Sequence, residues 1–472
     1  MTAAIPRLQE LARPENAGGT TGLASFAIDA KTWGDVIRAS VLTAVARGGA
    51  VLALLPFGAE VGELLRRAGS DTAIAWQGPG DDRMYLGQGA AWRVDAFAPE
   101  EVRPALATVE QQMIATAELA ASCGVDTDFA RAYGGLAFDV HRPAGHALAA
   151  FSVPAVMLRQ RAIDGGRASG AVAVTVEPGD TGAAVEDRAR QILTGLAREF
   201  QAAPARRAGG SWRIDDPDRG QEAYASAVQS AVRAIAERRI EKIVLSRDVE
   251  LAGGDPWATF ESMAIAAPET ARFALALGSG DLLVGASPER LVSVSGGIAH
   301  ADCLAGTVTD GTQGPVVKER REHEVVARAI RASLEPLSDE LFAPPEPVWR
   351  SAPGLFHLWS PISARLSQRV PLGDVVLAVH PTPAVGGWPR EPAMSMILEL
   401  EGRPRGWYAG AIGWIGAREA DFAVGIRSLR CQGDRATLTV GAGIVEGSTP
   451  EGELEETGRK AQAVVNLTQG RR

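Results

Sequence analysis

Two stretches of the sequence set carboxylates three residues apart within helical patterns. KERREHEVV carries Glu319 and Glu322, followed by His323, and GELEETGRK carries Glu453 and Glu456. Residues at that spacing share a helix face, where like charges repel by about a few tenths of a kcal/mol. Two such pairs facing one cleft would offer a hard dication its preferred oxygen donors, and magnesium is the natural candidate. On isolated helices the same acids make solvated faces or complement a helix start. Either reading fits the spacing alone.

Other residues add single chemical possibilities. Lys242 opens the β-rich run EKIVLSRDV; burial there would favour a neutral amine able to take a proton, whereas an exposed edge would leave it a solvated gatekeeper. Glu289, in VGASPERLV, follows Ser-Pro in an expected turn between strands, held over a cleft or paired with Arg290. His380 ends the expected strand VVLAVH and precedes the loop PTPAVGGWP. Arg427, in the expected strand FAVGIRSL, is costly to bury without an anion, and a substrate carboxylate or an internal acid would serve. GAGIV, Gly441–Val445, lets backbone N–H groups approach a ligand. Lys460 stands four residues after Glu456, the spacing of a favourable helical pair. No phosphate loop GxxxxGK occurs, so nucleotide binding has no support.

The elements that must position these groups follow from periodicity. Helices are expected over Thr32–Ala46, Val102–Ala121, Val185–Ala203, Gln221–Glu237, Val316–Leu337 and Glu451–Val465, where apolar residues return at three and four. Strands are expected over Ala50–Leu55, Ile243–Leu251, Arg272–Leu277, Leu282–Val284, Leu291–Val294, Val375–Val379, Trp407–Trp414, Asp421–Leu429 and Ala436–Val440. Elements arrive in blocks rather than in strict βαβ alternation, which favours an α+β architecture with large antiparallel sheets. The polar, Gly-rich segment at 206–220 separates a first part, residues 1–205, read as scaffold, from a motif-dense catalytic region, 206–472. Tyr133–Asp139 in the first part reads as a sheet strand.

At 472 residues the chain can bury a large core. Lys+Arg 48 against Asp+Glu 57 gives a net charge of −9, which argues against nucleic-acid binding. Three cysteines, widely spaced, exclude a disulfide framework and a Cys-cluster zinc site. The six histidines show no metal-ligand spacing. No secretory leader and no membrane-length apolar run is present, so a cytoplasmic protein without membrane association is expected.

Taken in order, KIVLSR, GASPERLV, LAGT, KERREHE, VHPTPAVGG, YAGAIGW, FAVGIRS, GAGIV and GELEETGRK resemble the chorismate-utilising enzymes, and within them isochorismate synthases. The resemblance is dense over about residues 220 to 470 and faint before. It implies an α+β fold of two stacked antiparallel sheets flanked by helices, with the active site in a cleft. It implies that Glu322 and Glu456 hold Mg2+, with Glu319 and Glu453 beside it and able to bind through water. It implies that Arg427 and Lys460 contact chorismate carboxylates, that Gly441 and Gly443 complete that pocket, and that Ala305, Gly306, Thr307 and His380 line the ring. Lys242 matches the general base that activates water for attack at C2, and Glu289 the general acid that protonates the departing C4 hydroxyl.

Within the family, the lysine at 242 separates this chain from the aminating branches, which use ammonia and lack it. Ala384 in HPTPA stands where those branches carry threonine, and no amidotransferase partner is expected. Salicylate synthase, which goes on to eliminate pyruvate, is the alternative; Ala384 speaks for stopping at isochorismate, while Tyr408 leaves the lyase open. A monomer is expected. Menaquinone, siderophore and salicylate routes all fit the product.

Overall fold

The structure is a computed structural model that describes residues 26–48, 51–60, 74–143, 145–161, 167–202, 211–277, 281–308, 317–352, 355–368 and 370–471. Among them, thirteen strands form one antiparallel sheet and ten form a second. The larger sheet runs from Phe26–Ile28 at one edge to Arg213–Ile214 at the other, and the smaller includes Arg290–Ser295, Ile298–Val308, Ala411–Ile415 and Ala420–Val424. The two meet face to face where Tyr85 of the larger sheet packs on Tyr133 of the smaller, ring centroids 6.3 Å apart. This is the expected α+β sandwich.

Both sheets draw on both halves of the sequence. Ile74–Gln77 pairs with Ala271–Ala276 in the larger sheet, and Ala132–Leu136 pairs with Ala411–Ile415 in the smaller. The first 205 residues therefore complete sheets that the remainder begins. Tyr133–Asp139 opens in a buried strand, as its pattern predicts.

The amphipathic patterns become helices over Ala30–Arg47, Pro99–Ser122, Gly182–Ala202, Gln221–Ala236, Val317–Leu334 and Pro450–Thr468. The last packs on Gln221–Ala236 and on the strand Arg435–Ile444. Its first turn is set by Thr449, whose Oγ1 accepts the Gly452 N–H at 3.1 Å, with Pro450 at the first helical position.

Three expected strands differ. Val375–Val379 belongs to a helix, Leu372–Val379, because a short run that is apolar throughout carries no period to tell helix from strand. Trp407–Trp414 is extended only over Ala411–Ile415, the preceding residues forming turns. Asp421–Leu429 breaks in two, and its halves, Ala420–Val424 and Ser428–Gln432, lie in different sheets.

Candidate active site

That break is one of two crossings that build the site. The chain leaves the larger sheet at Ser287 and enters the smaller at Arg290, so Pro288 and Glu289 span the seam. Beside it, Gly425–Arg427 spans the same seam in the opposite direction. The crossings are stitched together: Val424 N–H donates to the Glu289 carbonyl at 3.0 Å, and Ala286 N–H to the Arg427 carbonyl at 3.2 Å. Arg427 sits at φ 52°, a conformation that costs a non-glycine residue energy and concentrates at functional positions.

Both side chains are buried. Glu289 is 4% exposed, and burial pushes its carboxyl up to about 8, with Asp302 adding to the rise while Lys242 and Lys460 oppose it. Below that pH it is a neutral acid. Arg427 is 7% exposed; burial lowers it to about 10 against the pull of Tyr408 and Glu456, and its Nη1 has no hydrogen-bond partner among the described residues. A buried cationic donor without a partner is costly unless an anion arrives to meet it.

Lys242 begins the strand Lys242–Ala252, which pairs with Arg435–Ile444 so that Val244 lies opposite Gly443 and Ser246 opposite Gly441. Alternation sets Lys242 and Val244 on the face that the glycines leave open. Lys242 is fully buried, its Nζ 3.0 Å from Glu322 Oε1 but not aligned with it as a hydrogen bond. Glu322 lines the cleft, and Lys242, set against Glu322, is not among the lining residues.

Gly443 makes room for that pair. A Cβ there would lie 2.2 Å from Glu322 Oε1 and 3.2 Å from Lys242 Cε. Gly443→Ala is therefore expected to cost about 1–3 kcal/mol of stability and about 10²-fold in kcat/KM, read by thermal melting and steady-state kinetics. Wild-type kinetics in the variant would contradict this role.

From the other side, Lys460 donates to the Gly441 carbonyl at 2.9 Å and pairs with Glu456 at 2.8 Å. The helical pair expected from spacing is real, and it also ties the last helix to the glycine strand. Glu453 is buried, 1% exposed. On the Val317–Leu334 helix, Glu319 keeps a buried Oε2 without a hydrogen-bond partner among the described residues. That helix approaches closely because Gly306, at φ 78°, has no Cβ; one would meet the Glu319 carbonyl at 2.8 Å. Next door, His323 turns away and fastens the helix through Ser360 Oγ at 2.8 Å.

Glu289, Glu322, Arg427, Lys460, Ala305, Gly306, Ala384, Tyr408, Gly441 and Gly443 all line one cleft. The side chain of Thr307 lies outside the described residues. His380 does not line the cleft: it caps the helix Leu372–Val379, and its Nε2 is spent on the Ala137 carbonyl at 2.8 Å, with burial lowering the imidazole to about 4. Its expected place at the ring is corrected to a structural one. His357 takes a place in the lining that motif reading missed. It sits opposite Thr307 in the strand pairing, and burial beside Arg427 and Lys460 holds it well below the usual histidine range. A histidine set in the apolar strand FHLWSPIS was the available signal.

The arrangement offers a neutral acid, a buried amine against a carboxylate, and two cations for an anionic ligand. Among the described residues no three His, Cys, Asp or Glu side chains cluster closely enough to hold a metal ion, and Glu322 and Glu456 each lie against a lysine.

Comparison with known proteins agrees with this chemistry. The sequence matches the profile of the chorismate binding enzyme family over residues 63–469. It is 34% identical to a salicylate biosynthesis isochorismate synthase of Pseudomonas aeruginosa, covering 71% of this chain and 73% of that protein. It is 30% identical to isochorismate synthase MenF of Bacillus subtilis, covering 72% and 75%. The fold matches the solved MenF, the menaquinone-specific isochorismate synthase of Escherichia coli, with a TM-score of 0.72 at 23% identity over 91% of this chain and 100% of that one. With a cleft that gathers two cations and a raised carboxyl, and with a profile match over most of its length, the chain belongs to the chorismate-binding enzyme family.

Proposed function

We propose that this enzyme is an isochorismate synthase, converting chorismate to isochorismate by water addition at ring C2 and loss of the C4 hydroxyl. The observation that carries the reading is Glu289: a buried carboxyl at the sheet seam, protonated up to about pH 8 and lining a cleft with Arg427 and Lys460. Departure of a hydroxyl needs a proton donor, and a carboxyl with that affinity is one at neutral pH.

Arg427 and Lys460 meet the substrate carboxylates, and the substrate's charge makes good the missing partner of Arg427 Nη1. Lys242 takes the proton from the attacking water. Ala384, small and in the lining, favours release of isochorismate over further elimination.

Magnesium is part of the proposal. Its support is the donor type of Glu322, Glu456, Glu319 and Glu453 and the orphaned Glu319 Oε2. In this structure Glu322 and Glu456 stand beside Lys242 and Lys460. Bound there, the ion supplies positive charge for the substrate's ring carboxylate. Glu456→Ala is expected to raise the magnesium concentration for half-maximal activity by about tenfold or more; an unchanged titration would remove Glu456 from the metal site.

Chromatography of the products of chorismate and Mg2+ tests the function. Isochorismate alone supports it, salicylate with pyruvate supports the lyase alternative, and no turnover overturns both.

A further inference from the structure

A buried ion pair stands directly behind the cleft, outside every motif assigned above. Glu401, the last residue of the helix Arg390–Glu401, and Arg405 bond at 2.5 Å with side chains 2% and 1% exposed. The guanidinium also donates to the Val385 carbonyl and to the Val244 carbonyl, each at 2.7 Å. Glu401 Oε1 accepts the Ser246 N–H at 2.7 Å. The Arg405 guanidinium lies 4.3 Å over the Phe138 ring and 5.8 Å from the Tyr408 ring centre.

The backbone explains why these bonds matter. On this edge the strand Lys242–Ala252 pairs with Gly387–Trp388 only at Lys242 and Ile243, and Val244 N–H adds one bond to Gly386. Beyond that the neighbouring strand ends, and Val244 C=O and Ser246 N–H would be left without partners. Unmet backbone groups in a buried position are rare and costly. Arg405 and Glu401 continue the ladder in place of a strand, and the second fork of the guanidinium holds Val385, next to Ala384.

We propose that Glu401 and Arg405 are positioning residues, a side-chain surrogate for the missing strand that fixes the Lys242 strand against the Ala384–Val385 loop in register for turnover. The inference rests on the isochorismate synthase reading. Neither residue touches the substrate. Their effect is on where Lys242 and the loop stand, so kcat should fall while KM barely moves.

The test is the apolar double variant Glu401→Leu/Arg405→Met beside Arg405→Lys, with melting temperature, kcat and KM measured for each. Apolar groups of similar volume remove the buried charges together but leave the Val244 and Val385 carbonyls and the Ser246 N–H without these partners, so a lower melting temperature is expected. In the protein that remains folded at the assay temperature, kcat is expected to fall about 10²-fold with KM within about threefold. Arg405→Lys keeps the charge but not the planar fork that reaches both carbonyls; a fall of about tenfold in kcat at unchanged KM is expected. A folded double variant with more than half the wild-type kcat overturns the proposal. Should the double variant not fold, Arg405→Lys decides, and wild-type kcat there overturns it. Failure of the wild-type protein itself to convert chorismate would instead overturn the functional reading, and with it this inference.

Discussion

Glu289→Gln is expected to lower kcat by about 10²–10⁴-fold with the fold intact, the span that a positioned acid contributes. The fold survives because the native carboxyl, raised to about 8 by burial, is already neutral at pH 7, and glutamine is neutral and of the same shape. What is lost is the transferable proton. The same group sets a pH dependence with a definite sign. Because its affinity for the proton is raised, the acid form is present below about pH 8 and lost above it, so kcat/KM should fall as pH rises through that value. Circular dichroism and initial rates check both statements. A variant keeping more than about a tenth of the activity would remove Glu289 from proton transfer.

Lys242→Ala carries the second large effect. Lys242 is fully buried, with its Nζ 3.0 Å from Glu322 Oε1. Turnover is expected to fall by about 10³-fold or more, through loss of the base alone. The variant separates two roles of the amine. If Lys242 were only a counter-ion for Glu322, removing it would leave an unpaired carboxylate and cost stability, but Lys242→Arg would restore function. As a base, it is not replaced by arginine, which holds its proton. Activity regained in Lys242→Arg would therefore contradict the assignment.

Much of the site was legible because its residues sit in patterns that local physics constrains. The helices carrying Glu322 and Glu456 have continuous amphipathic stripes, and the strand carrying Lys242 opens with the apolar run Ile243–Leu245, led by the β-branched Ile243 and Val244. Arg427 and Glu289 were legible as residue types but not in their places. A sequence run such as DFAVGIRSL reads as one strand, and nothing local reveals that it changes sheets at Gly425–Arg427. His380 was misplaced because its place at the ring came from the family resemblance: VVLAV is an unbroken apolar run that reads as a strand, and nothing local shows that the histidine caps a helix and is spent on the Ala137 carbonyl. Glu401 and Arg405 stand on either side of the helix-breaking Gly402 and Pro404, so local sequence gives no reason to pair them, and only tertiary packing shows that they are sealed behind the cleft. Local sequence shows which groups are present; the crossing of chains between sheets decides which of them meet.

The most direct measurement is a single turnover of chorismate in water enriched in ¹⁸O, with the product resolved by chromatography and weighed by mass spectrometry. Water activated for attack at C2 yields isochorismate carrying one ¹⁸O atom. Unlabelled isochorismate, or unlabelled salicylate with pyruvate in its place, would contradict that chemistry.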